Sequence, residues 1–123
     1  MSRVIHFEVV GKDPEKLAEF YRKAFGWKVE KWEGPTDYWL ISTGDPEQPG
    51  IDGGLGLRAS EKEDPFGLTM SVDDCQAAVD EVLAAGGKLV SEKHAVPGVG
   101  WMAYCADVDG NVFGMMQSDP EAK

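Results

Sequence analysis

HFEVVGKDPEKLAEFYRKAFGWKV, residues His6 to Val29, reads in one pass as strand, turn, helix, turn and strand. At its start Ile5, Phe7 and Val9 alternate with Val4, His6, Glu8 and Val10, the period of two that sends the sets to opposite faces of a sheet. Asp13-Pro14 is a helix start, with an acid to accept the first free N–H groups and a proline where no N–H is needed. Leu17, Phe20, Tyr21 and Ala24 recur at helical spacing and predict one buried stripe, which Gly26 ends. The pattern returns in LTMSVDDCQAAVDEVLAAGGKLV, residues Leu68 to Val90. Leu68, Met70 and Val72 alternate with Gly67, Thr69 and Ser71. Asp74 caps a second helix whose stripe is Ala78, Val82 and Ala85, and Gly86-Gly87 closes it. Asp13 and Asp74, Gly26 and Gly87, and Val29 and Val90 all stand at one offset of 61 residues. The chain is an internal repeat.

Around these anchors, Trp27–Trp32 and Tyr38–Thr43 predict strands. Gly44–Gly54 predicts a loop with some strand at its far end. In the second half Lys88–Val90, Trp101–Cys105 and Val112–Gln117 predict strands, with Asp109-Gly110-Asn111 reversing the chain before the last. The tail from Ser118 is expected to fray. Each half reads βαβββ, so the expected fold class is α+β. One domain, 1–123, is built from pseudo-repeats 3–58 and 66–117. A half of roughly 55 residues would struggle to bury a sheet alone. Two halves side by side solve this and are expected to leave a cleft lined by the sheet faces that the helices do not cover.

The 123 residues are 42% hydrophobic and 28% charged, a globular composition that excludes wholesale disorder. Twelve Lys and Arg stand against 22 Asp and Glu, a formal charge of −10, poorly matched to phosphate backbones or anionic lipid. Nucleic acid and membrane are therefore not expected partners. No apolar run approaches a membrane span and the N-terminus lacks a cleavable-signal layout, so the expected location is cytoplasmic. Cys75 and Cys105 make no disulfide framework.

The paired strand–helix halves, with HFEVVGKDPEKLAEFYRKAFGWKV near the start and DVDGNVFGMMQ near the end, resemble the glyoxalase / bleomycin-resistance / extradiol-dioxygenase group, the vicinal oxygen chelate superfamily. The likeness covers about residues 3 to 117. It implies two βαβββ modules forming a curled mixed sheet around a cleft. In many members it also implies a divalent metal held by one ligand from each of four strands. Activities in the group run from hemithioacetal isomerisation and epimerisation to diol ring cleavage and drug sequestration without catalysis. The resemblance also implies a homodimer.

Carried over residue by residue, the first metal ligand falls on His6. The other three ligand positions fall on Gly67, on Gly56 and on Gly114. One imidazole is an incomplete site, because zinc wants about three protein ligands and harder metals about six oxygen donors. No cofactor is therefore expected. A divalent metal remains the alternative, with Glu8, Thr69 or a loop-borne His94 as stand-in donors.

His6 and Glu8 are the candidate catalytic residues, as an acid–base pair or as an imidazole oriented by its neighbour. His6, Thr69, Trp39, Trp101 and Tyr104 are the candidate ligand-binding residues, the aromatics either as walls for a small organic molecule or as packing. Met70, Met102, Met115 and Met116 suit a tolerant pocket or core filling. Pro97-Gly98-Val99-Gly100 reads as a lid or a hairpin turn. Asp107–Asn111 mimics a calcium loop, but its glycine stands at the wrong place and Ser118 replaces the closing Glu. Cys75 reads as a surface or interface residue. The expected function is a glyoxalase- or resistance-like protein that binds a small organic molecule without a complete metal site. The alternatives are a metal-dependent lyase or isomerase of the glyoxalase I or epimerase type, and an accessory protein with a vestigial cleft.

Overall fold

The computed structural model describes residues 2–123. The chain divides into two compact units, one of His6–Gly67 and one of the residues up to Ile5 with Leu68–Lys123. Each is a βαβββ unit with a mixed sheet.

In the first, β1 (Val4–Gly11), α1 (Pro14–Phe25), β2 (Lys28–Lys31), β3 (Tyr38–Ser42) and β4 (Asp52–Leu57) follow in order. β1 runs parallel to β4, and β4–β3 and β3–β2 are antiparallel. The Asp13 carboxylate accepts the Lys16 N–H at 3.2 Å, and Gly26 closes the helix at φ 70°, a conformation that suits glycine. Val9, Ala18, Val29, Trp39, Ile41 and Leu55 form the core, with Phe7, Leu17, Tyr21 and Trp27 packed against it. The helix therefore buries Ala18 and half-buries Leu17 and Tyr21. Of the expected stripe, Phe20 is 57% exposed with its ring edge-on to Tyr21, and Ala24 is exposed as well.

The second unit repeats the plan with β5 (Phe66–Ser71), α2 (Cys75–Ala84), β6 (Lys88–Val96), β7 (Gly100–Ala106) and β8 (Val112–Ser118). β5 is parallel to β8, and β8–β7 and β7–β6 are antiparallel. Asp74 caps α2 by accepting the Ala77 N–H at 3.0 Å. Its core is Cys75, Val79, Ala103, Cys105 and Met115. Cys75 is thus fully buried rather than at a surface, because the first turn of α2 faces the sheet and its backbone N–H is held by the Gln117 side chain at 2.9 Å. Burial pushes the thiols of Cys75 and Cys105 up, which makes them packing groups rather than nucleophiles.

β6 runs well past Val90 because β7 pairs with it across two irregularities in register, and this places His94 in a strand rather than a loop. The Asp109-Gly110-Asn111 turn is structural. Its hub is Asp107, whose carboxylate accepts from the Asp109 and Asn111 N–H groups and the Asn111 side chain, each at 2.9 Å. The Asn111 side chain, more than any other contact, holds that carboxyl below its ordinary range. Among the described residues no helix is long and apolar enough to cross a membrane.

Candidate functional site

The face of each sheet that its helix leaves uncovered is fixed by parity. In the first unit Phe7, Val9, Trp39, Ile41 and Leu55 belong to the core under α1. Their neighbours His6, Glu8, Tyr38, Leu40 and Gly54 therefore point the other way. On that open face His6 Nε2 lies 2.9 Å from Glu8 Oε1 and 3.0 Å from the Tyr38 hydroxyl. The Tyr38 O–H donates to Glu8 Oε1 at 2.8 Å and reaches Oε2 at 3.1 Å. A carboxylate can only accept, so the contact assigns a proton to His6 Nε2, which Glu8 and the phenol oxygen share. The three side chains form one closed network. Hydrogen bonds to a charged acceptor of this kind contribute about 1.5–3 kcal/mol each.

Tyr38 comes from β3, yet it reaches β1 across β4. It does so because position 54, on the strand between, is glycine: a Cβ there would sit inside the Tyr38 phenol. Gly54 lies opposite Glu8 in the β1–β4 pairing. Neither Tyr38 nor Gly54 stood among the sequence candidates. The signal was the run Gly53-Gly54, two glycines inside a strand, which marks close approach by another group.

The tryptophans lie elsewhere. Trp39 is 7% exposed in the core, and its indole N–H donates to Glu15 on α1 at 2.6 Å. Trp101 packs against the core under α2, donates to Asp119 at 3.0 Å, and carries the Lys93 ammonium over its ring at 4.8 Å. Each is one residue out of phase with the open face. In the second unit that face carries Thr69, opposite Gly114, with Tyr104 and Met102 beside it. A Cβ on Gly114 would meet Met102 at 2.6 Å and Thr69 Oγ1 and Tyr104 at 3.2 Å, so side chains already fill that space. His94 stacks on Tyr104 with ring centroids 6.4 Å apart.

The register also refines the ligand positions. Thr69 is the repeat counterpart of Glu8, and Thr69 lies opposite Gly114 as Glu8 lies opposite Gly54. Gly54, two residues before Gly56, thus holds the strand place that corresponds to Gly114. Around Gly56 and Gly67 there is room, with neighbours no nearer than 3.9 Å to an added Cβ. The residues present do not fit a divalent ion. Glycines supply no side-chain donor, and His6 Nε2 is turned to Glu8 and Tyr38. Among the described residues no three His, Cys, Asp or Glu side chains gather closely enough to hold a metal.

Residues 6–116 match the family described as Glyoxalase-like domain. The chain is 27% identical over 125 residues to the "Probable lactoylglutathione lyase" of Vibrio cholerae, covering 94% of this chain and 91% of that protein. It is 24% identical over 116 residues to CFP32 of Mycobacterium tuberculosis, whose description is of glyoxylase type; this covers 93% of the chain but only 43% of the relative's length. Among solved structures, methylmalonyl-CoA epimerase from Mycobacterium tuberculosis superposes with a TM-score of 0.71 at 16% identity, over 95% of this chain and 88% of that one. That likeness establishes the fold. From the matched residues 6–116 and the paired βαβββ units, the chain belongs to the glyoxalase-like domain family, within the vicinal oxygen chelate superfamily.

Proposed function

We propose that this protein binds a small organic molecule on the open face of its first unit and does so without a resident metal ion. The observation that carries the reading is the closed His6–Glu8–Tyr38 network standing where His6 would otherwise be a ligand, beside glycines at 54, 56 and 67. A polar cluster on the sheet face that the helix leaves uncovered suits a small molecule, with the polar groups setting its orientation. In the other unit Thr69 is only 3% exposed, so of the two candidates on that face Tyr104 alone is partly exposed. The homodimer and the cytoplasmic location expected from the sequence belong to the same reading.

The competing reading is a metal-dependent lyase or isomerase, favoured by what the Vibrio cholerae and epimerase relatives are named for. The two separate on titration of the purified, chelator-treated protein with zinc, nickel and manganese, followed by a thermal-shift screen of small molecules with and without metal. Ligands that prefer the folded state raise its melting temperature by mass action. We expect no stoichiometric metal uptake and ligand shifts that do not depend on metal. His6→Ala should alter ligand affinity only modestly, by several-fold. One equivalent of tightly held metal, lost in His6→Ala, would establish the competing reading instead.

A further inference from the structure

Resting on that reading, we infer that the ligand of this face is an organic cation with N–H donors, an alkylammonium or amidinium carried on an apolar or aromatic body. Charge is the first ground. The register puts Lys28, Glu30, Glu8 and Asp52 on the same face as His6 and Tyr38. That makes three carboxylates and one lysine, and the lysine pairs with Glu30 at 3.5 Å. Among the described residues Glu8 has His6 as its ion-pair partner and no lysine or arginine.

Hydrogen-bond chemistry is the second ground. The two donors of the network, His6 Nε2–H and the Tyr38 hydroxyl, are both turned toward Glu8, so the group with acceptor capacity left is the carboxylate. Its Oε2 takes the longer 3.1 Å contact, and its side chain is 28% exposed. An incoming carboxylate, phosphate or enediolate oxygen would meet that charge. An incoming N–H would find an acceptor already held in place, with the side-chain entropy of Glu8 spent beforehand.

Shape is the third ground. Trp32 stands opposite Tyr38, its backbone N–H donating to the Tyr38 carbonyl at 2.7 Å. The two rings meet edge to face with centroids 6.1 Å apart. They give an aromatic wall on the rim of the acidic cluster, and aromatic faces attract cations. Beside Glu8, Gly67 adds no side chain to the face, and a Cβ there would stand 3.9 Å from the Glu8 Cβ.

The test uses three probes of one shape, benzylamine, benzyl alcohol and benzoate, titrated into the labelled full chain and followed by NMR shifts of Trp32, Tyr38 and His6. Benzylamine should bind at least tenfold more tightly than benzyl alcohol, and benzoate more weakly than both. Glu8→Gln should abolish the preference for benzylamine over benzyl alcohol. Glu61→Gln, which removes an equal charge from the exposed Lys12–Glu61 pair, should leave it within twofold. If the alcohol or benzoate binds this face as well as the amine, the cation assignment falls and small-molecule binding stands. The same holds if the preference survives Glu8→Gln. If no probe moves any of the three reporters at millimolar concentration, both fall.

Discussion

Gly54→Ala is expected to unfold the site and weaken the protein together. The added methyl would fall inside the Tyr38 phenol, and the backbone of β4 is pinned on one side by β1 and on the other by β3. The ring must therefore leave, taking with it the hydroxyl that bonds to both His6 and Glu8. Overpacking of this kind costs about 1–3 kcal/mol, and the lost hydrogen bonds to a carboxylate add to it. Urea denaturation of Gly54→Ala, Tyr38→Ala and the double variant measures the coupling. Residues in direct contact couple by about 0.5–3 kcal/mol, so the double variant should be more stable than the sum of the singles predicts. Simple additivity, with an unperturbed Tyr38 ring in Gly54→Ala, would show that the phenol does not lie across the strand.

Leu55→Ala, one residue along, should weaken the protein but spare the site. Leu55 is fully buried under α1 among Val9, Ala18, Val29, Trp39 and Ile41. Removing its side chain leaves a cavity in a small core, at about 2–5 kcal/mol. Yet its side chain points away from His6, Glu8 and Tyr38, so affinity for a ligand of the open face should hold wherever the variant is folded. Denaturation and ligand titration on the same samples separate the two effects. A loss of ligand affinity as large as that in Gly54→Ala would contradict the assignment of the two faces.

These neighbours also show what was legible in the sequence. The architecture was, because the strand–helix pattern is written twice and the caps Asp13, Gly26 and Asp74 are local chemistry. His6 and Glu8 were legible as a pair, since alternation along one strand puts both on one face. Tyr38 was not. In the run Tyr38-Trp39-Leu40-Ile41, aromatic and aliphatic residues occupy both phases, and nothing local says which phase the helix covers. A shift of one residue exchanges every side chain between faces, so choosing Trp39 as the wall put the wrong aromatic there. The indole was settled by a contact far off in sequence, the hydrogen bond from Trp39 to Glu15. Trp101 failed for the same reason, with Asp119 as the distant partner. Cys75 was hidden because a first-turn position looks exposed until the sheet beneath it is known. Gly54 was visible as a glycine, but its meaning needed the β3–β4–β1 order that brings Tyr38 over it.

The protonation of His6 tests the account most directly. Long-range proton–nitrogen NMR on the nitrogen-labelled protein reports which ring nitrogen carries hydrogen, with His94 assigned by its absence in His94→Gln. The network predicts a hydrogen on His6 Nε2, a signal that moves in Glu8→Gln and Tyr38→Phe, and no change when one equivalent of zinc or nickel is added. An Nε2 without hydrogen, shifting in proportion to added metal, would contradict it.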